Sequence, residues 1–279
     1  MVLIKKLALF LNRLSIDVVL GAMGGLCFFS LWLGVDTPGV VYVALGLAVW
    51  VIYTFDHLMD AKNSLSAEID PRRKIHKYHP GVIWTLIAVL VLVGLVLVWA
   101  YQSIRSIFIP AVVLWGIIGL YFGSLKVSKT RKSGAKEPVI AICYVAGITM
   151  YPISKVEWTL IPVVFYLYLA IYTMIALINL WILSYWDRET DLENGFSSIS
   201  SLLSPGSLKT AIVFLGIATA GILLFLLFFQ HSLYNMHALV LLLILSIHLK
   251  VFLGSPADIQ TKRQYLEASF LLTWTLALV

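Results

Sequence analysis

The chain has 279 residues, of which 61% are hydrophobic and 12% charged, whereas soluble globular domains are nearer half apolar and about a quarter charged. That composition excludes a water-soluble domain, which would leave much of the apolar surface in water. The net charge of +6 comes with no soluble basic face and no reading motif, so it excludes a nucleic-acid partner and points to anionic lipid head groups.

In chain order, Asp, Glu, Lys and Arg are absent from residues 18–35, 37–55, 81–101, 106–125, 138–154, 158–186 and 210–249. At about 1.5 Å per residue, each run crosses all or most of a roughly 30 Å hydrocarbon layer as a helix. The run 210–249 holds two crossings, broken at Gln230-His231-Ser232, and a shorter apolar stretch from Gln264 to Val279 adds a last one. The expected fold is all-α: a single domain, residues 1–279, built as a polytopic membrane bundle of nine transmembrane helices. The alternating segments of a membrane β-barrel are missing. The first apolar run is too long for a removable signal peptide and has no small-residue cleavage site. Cys27 and Cys143 fall inside apolar runs and give neither a disulfide framework nor metal-ligand spacing.

Orientation follows from the basic residues. With the amino terminus in the cytoplasm, eighteen of the 20 Lys and Arg fall on the cytoplasmic side, leaving Arg105 and Lys155 outside. This asymmetry predicts an integral, multi-pass protein of the cell (inner) membrane, amino terminus inside and carboxyl terminus outside.

Two acidic pairs stand out. Asp56 and Asp60 end the second apolar run, and Asp187 and Asp191 follow the sixth. Four-residue spacing sets the carboxylates of each pair one helical turn apart on one face, where they repel unless a cation lies between them. Oxygen donors of this kind suit Mg²⁺, which is usually held by one or two carboxylates together with substrate phosphates. A single DxxxD at a helix end is commonly a solvated cap. Two such pairs, each ending an even-numbered span and so on one membrane side, form a pattern.

Basic and polar groups accompany the pairs: Lys62, Asn63, Arg72 and Arg73 after the first, Tyr121, Lys126 and Lys129 after the fourth span. Their ordinary reading is contact with lipid head groups. Beside a metal cluster they also complement diphosphate oxygens. Asn179 lies two turns deeper than Asp187 and is either an interhelical hydrogen bond or a cavity-lining group. Tyr53, Tyr166, Tyr168, Tyr172, Trp181 and Tyr185 are packing residues or faces for a carbocation. Asp17 and His57 are further polar positions at membrane depth, and Glu137 reads as a local ion pair with Lys136.

On these residues the chain resembles the UbiA superfamily of intramembrane prenyltransferases over essentially its whole length. Asp56 and Asp60 match the aspartates of that family's first acidic motif, and Asp187 and Asp191 those of its second. The stretch from Tyr121 to Lys126 and Lys129 resembles the segment after its fourth helix. Three features depart from the family pattern. Ile52 stands where the family has Asn, Trp186 stands where a Lys or similar residue usually precedes the second motif, and Arg72 and Arg73 follow Asn63 only after an insertion. The resemblance implies nine helices and four aspartates holding Mg²⁺ on a polyisoprenyl diphosphate. It also implies that Lys126 and Arg72 or Arg73 contact the diphosphate, with a lateral opening toward lipid for the apolar tail.

The leading expectation is therefore a Mg²⁺-dependent enzyme that ionises a prenyl diphosphate and transfers the prenyl group to a small aromatic acceptor. A terpene cyclase of the same superfamily is the near alternative, and an ion-coupled transporter the alternative of another class.

Overall fold

The computed structural model describes residues 12, 14–63, 76–127, 136–194, 198–229, 232–254 and 258–278, and among them there is no strand. The charge-free runs become α1 (Ile16–Trp32), α2 (Gly39–Asn63), α3 (Pro80–Ala100), α4 (Phe108–Val127), α5 (Lys136–Ser154), α6 (Val163–Trp186), α7 (Pro205–Phe229) and α8 (Ser232–Leu253). Short helices Gln102–Arg105 and Arg188–Asn194 follow α3 and α6. Six helices, α2, α3 and α5 to α8, are long and apolar enough to cross a membrane, while α1 and the Phe108–Tyr121 part of α4 are apolar but shorter. The protein is a multi-pass helical membrane protein.

Local chemistry sets the helix ends. Pro80 opens α3, where its missing N–H is no loss. Ser204 caps α7, its Oγ accepting from the Ser207 N–H at 3.1 Å. The run 210–249 does divide, α7 stopping at Phe229 and α8 starting at Ser232; Gln230 and His231 lie outside the described residues.

The carboxyl-terminal stretch departs from a simple spanning helix. Asp258 caps an α-helix, α9 (Ile259–Ser269), by accepting from the Gln260 and Thr261 N–H groups. Phe270–Leu278 then tightens into a 3₁₀ helix. Thr273 and Thr275 donate to carbonyls three residues back, Phe270 O and Leu272 O, both at 2.6 Å, which suits the tighter winding.

The bundle is organised on α6. Phe165, Tyr168, Ile171, Tyr172, Ile175, Ile178 and Ile182 recur every three or four residues and are completely buried, so one stripe of the helix faces protein along its whole length. Aromatic rings of α1 meet that stripe edge to face: Phe29 lies 5.7 Å from Phe165 and Phe28 5.7 Å from Tyr172 between centroids. By contrast only Ile83 and Ile87 of α3 are buried. Leu92 and Val96 of that helix are 61% exposed and Trp99 79%, the surface of a helix in contact with lipid.

Candidate functional site

α2 runs unbroken through Asp56 and Asp60, which keeps their carboxylates one turn apart. α6 ends at Trp186, and Asp187, with ψ near 1°, breaks the helix before Arg188–Asn194, but the Asp191 N–H donates to the Asp187 carbonyl at 2.8 Å and keeps the two residues one turn apart. Both acidic pairs therefore keep the same-face relation that their spacing dictates. All four carboxylates line one cavity of about 640 Å³, a size within the roughly 300–1,000 Å³ of small-molecule sites.

The cavity is polar at one end and apolar along its depth. Among the described residues its lining carries six carboxylates, the four aspartates with Glu137 and Glu267, and two cations, Lys136 and Arg263. Lys136 opens α5 and lies within electrostatic reach of Asp56, Asp60 and Asp191, so a single ammonium group is shared by carboxylates from both pairs. Arg263, on α9, forms an ion pair with Asp187. In the sequence Lys136 and Arg263 both read as cations of the cytoplasmic side, Lys136 also as the ion-pair partner of Glu137.

Glu137 is not simply the ion-pair partner of its neighbour. Its side chain is 4% exposed, and Oε1 accepts from the Ile199 N–H at 2.8 Å. Arg188 holds the same loop, its Nη1 donating to Ser200 O at 2.5 Å and Leu203 O at 2.6 Å. The segment after Asp191 is thus fastened from two sides, which fixes where the second acidic pair sits.

Behind Arg263, Glu267 is 6% exposed and accepts from Asn12 Nδ2 at 2.7 Å; the same amide donates to Asp17. Asp17, noted in the sequence as a polar position at membrane depth, thus belongs to a link between α1 and α9.

Of the other predicted site residues, Tyr121 and Asn179 line the cavity, and so does His57. Asn63 and Lys126 end their helices with side chains outside the described residues, and Arg72, Arg73 and Lys129 lie outside them altogether. The aromatic expectation divides. Tyr168 and Tyr172 are completely buried in the core around α6, whereas the rings on the cavity wall include Tyr53, Trp115, Tyr144, Tyr151 and Phe270. Periodicity could have separated them, because Tyr168 and Tyr172 fall on the buried stripe of α6.

Among the described residues no three His, Cys, Asp or Glu side chains are grouped to hold a metal. Mg²⁺ bound by one or two carboxylates and completed by substrate phosphates and water does not need such a group. Among the described residues the anionic donors of the cavity are carboxylate oxygens, a donor type that suits a divalent cation. Comparison of the chain with protein-family models, with curated proteins and with solved structures finds no match.

Proposed function

We propose that the protein is a Mg²⁺-dependent intramembrane enzyme of the UbiA type, with nine crossings and a cytoplasmic amino terminus. It would ionise a prenyl diphosphate and transfer the prenyl group to a small aromatic acceptor. The convergence of Asp56, Asp60, Asp187, Asp191 and Lys136 on the polar end of one apolar cavity is the observation that supports this reading. A diphosphate with a hydrocarbon tail has the same division of polarity.

In this reading Asp56 with Asp60, and Asp187 with Asp191, would each hold a Mg²⁺ ion, and the ions would offset the charge that builds on the departing diphosphate. Lys136 contacts the diphosphate from within the cluster. Lys126, Lys129, Arg72 and Arg73 would supply further cations, and Tyr121, Asn63 and Asn179 polar contacts. The carbon–oxygen bond breaks with its electron pair leaving on the diphosphate. The allylic carbon then bonds to the acceptor, whose proton leaves through the polar end. Tyr53, Tyr144 and the apolar wall exclude water from the cation meanwhile.

An ion path is less well supported, because the far end of the cavity is closed by the buried residues Leu26, Val41, Ile104 and Tyr151 and the acids lie at one end rather than at mid-depth. The test is pyrophosphate release by purified protein given prenyl diphosphates with a panel of aromatic acceptors. Release should require Mg²⁺ and fall at least about a hundredfold in Asp56→Asn, a loss of roughly 2.7 kcal/mol in transition-state stabilisation. Release unaffected by Asp56→Asn and Asp187→Asn would remove the enzymatic role of the pairs. A terpene released without any acceptor would identify a cyclase instead.

A further inference from the structure

On α6 the cavity wall is formed by Ala176, Asn179, Leu180, Leu183, Ser184 and Asp187. Asn179 precedes Asp187 by two turns, about 12 Å at about 1.5 Å per residue, and sits between the alkyl groups of Ala176, Leu180 and Leu183. The residue as a whole is half-buried and faces the cavity. Its Oδ1 is covered, and the amide has no hydrogen-bond partner among the described residues. Of the two roles that its place in the sequence allows, an interhelical hydrogen bond is therefore not the one it fills. An unpaired amide is costly in a protein interior, and a leucine of nearly the same size would fill the position without that cost.

The α3 and α4 walls differ. Val91 and Leu95 on α3 and Val112 and Trp115 on α4 line the cavity and are 41%, 51%, 52% and 41% exposed. A hydrocarbon tail finds a continuous apolar surface there, and it gains nothing from an amide.

We propose that Asn179 is the residue that recognises the acceptor, its amide pairing with a hydroxyl group on the aromatic ring. The proposal rests on the prenyl-transfer reading above. About 12 Å is of the order of a diphosphate followed by one six-membered ring. A ring whose near carbon meets the allylic carbon thus carries a substituent on its far side to the level of Asn179. The amide answers both halves of a hydroxyl: its oxygen accepts from the O–H, its NH₂ donates to the oxygen, and a half turn about the terminal bond exchanges the two. A prenyl tail lying in the same place leaves the amide unpaired. Asn179 therefore favours the acceptor over the tail on the α6 side, and a hydroxylated ring over a plain one.

The experiment uses the full chain in nanodiscs with Mg²⁺ and inorganic pyrophosphate, and two probes of one shape, 2-naphthol and 2-methylnaphthalene. Equilibrium dialysis with empty nanodiscs as the reference removes partition into lipid. Wild type should hold 2-naphthol about tenfold more tightly, the size of one hydrogen bond. That ratio should fall to near one in Asn179→Leu and in Asn179→Ala, the second variant separating loss of the amide from crowding by leucine. Asn179→Leu should unfold at the wild-type temperature or above it, because an alkyl group replaces an unpaired amide. Equal retention of the two probes by wild type, retention of neither, or a preference that survives both substitutions overturns the proposal. A lower unfolding temperature for Asn179→Leu does so as well, since it means that the amide is bonded within the bundle. The prenyl diphosphate reading fails separately, if Mg²⁺-dependent binding of pyrophosphate is unchanged by Asp56→Asn and Asp187→Asn. The acceptor role falls with it, and a naphthol preference that persists then belongs to a binding site of another kind.

Discussion

At the scale of single residues, the acidic pairs are not equivalent. Asp187 is held by Arg263, with side chains 28% and 14% exposed, whereas Asp56 and Asp60 share the field of Lys136 with Asp191. Asp187→Ala takes one acceptor from a largely covered guanidinium that keeps other contacts, so it should destabilise the fold by up to about 1 kcal/mol. Arg263→Ala made in the same chain should recover part of that loss, and thermal unfolding of the single and double variants in detergent measures the coupling. Additive losses would mean that the pair contributes nothing. The pairs themselves were legible in the sequence because a four-residue repeat on a helix has only one geometry. The inward turn of Lys136 and Arg263 was not. Both belong to the eighteen cations assigned to one membrane side, and a Lys turned inward has the same sequence neighbours as one facing head groups.

At the scale of elements, the docking of α1 on the carboxyl-terminal segment depends on small residues. A Cβ on Gly24 would collide with the Thr273 hydroxyl and meet the Trp274 ring at 3.0 Å, and one on Gly21 would meet Phe270 Cβ at 3.0 Å. Helices in a bilayer associate by close packing rather than by a hydrophobic drive, so such contacts matter more than apolar area. Gly24→Leu should cost about 1–3 kcal/mol in detergent unfolding. Gly221→Leu on α7, where a Cβ meets nothing within 4 Å, should stay within about 0.5 kcal/mol. Equal losses would show that the α1 contact is dispensable. Charge-free runs located α1 to α8 because the length of an uncharged segment is itself the signal. The division of the final stretch into α9 and a 3₁₀ segment left no such mark, since both halves read as apolar or amphipathic.

At the scale of the whole molecule, the polar ends of α2 and α6 meet at one end of a single cavity, while Arg105 and Lys155 lie together at the other, the Lys155 ammonium donating to Ser106 Oγ at 3.2 Å. Cysteines introduced at Glu157 and Glu189 should accordingly react with an impermeant thiol reagent from opposite sides of sealed vesicles, Glu189 from the side that carries most of the basic residues. Native Cys27 and Cys143, 4% and 9% exposed, give little background. Labelling of both positions from one side would break the orientation. The amino-acid order alone determined that the chain is a helical membrane protein, where most of its helices run, and that two carboxylate pairs each occupy one helix face. Those are properties of a segment and its solvent: an uncharged run must close its hydrogen bonds within itself in lipid, and a helix repeats every 3.6 residues. Which helix became the buried axis, which cations turned toward the acids, and where the cavity stops depended on contacts between segments far apart in the chain. Only the packed bundle decides those.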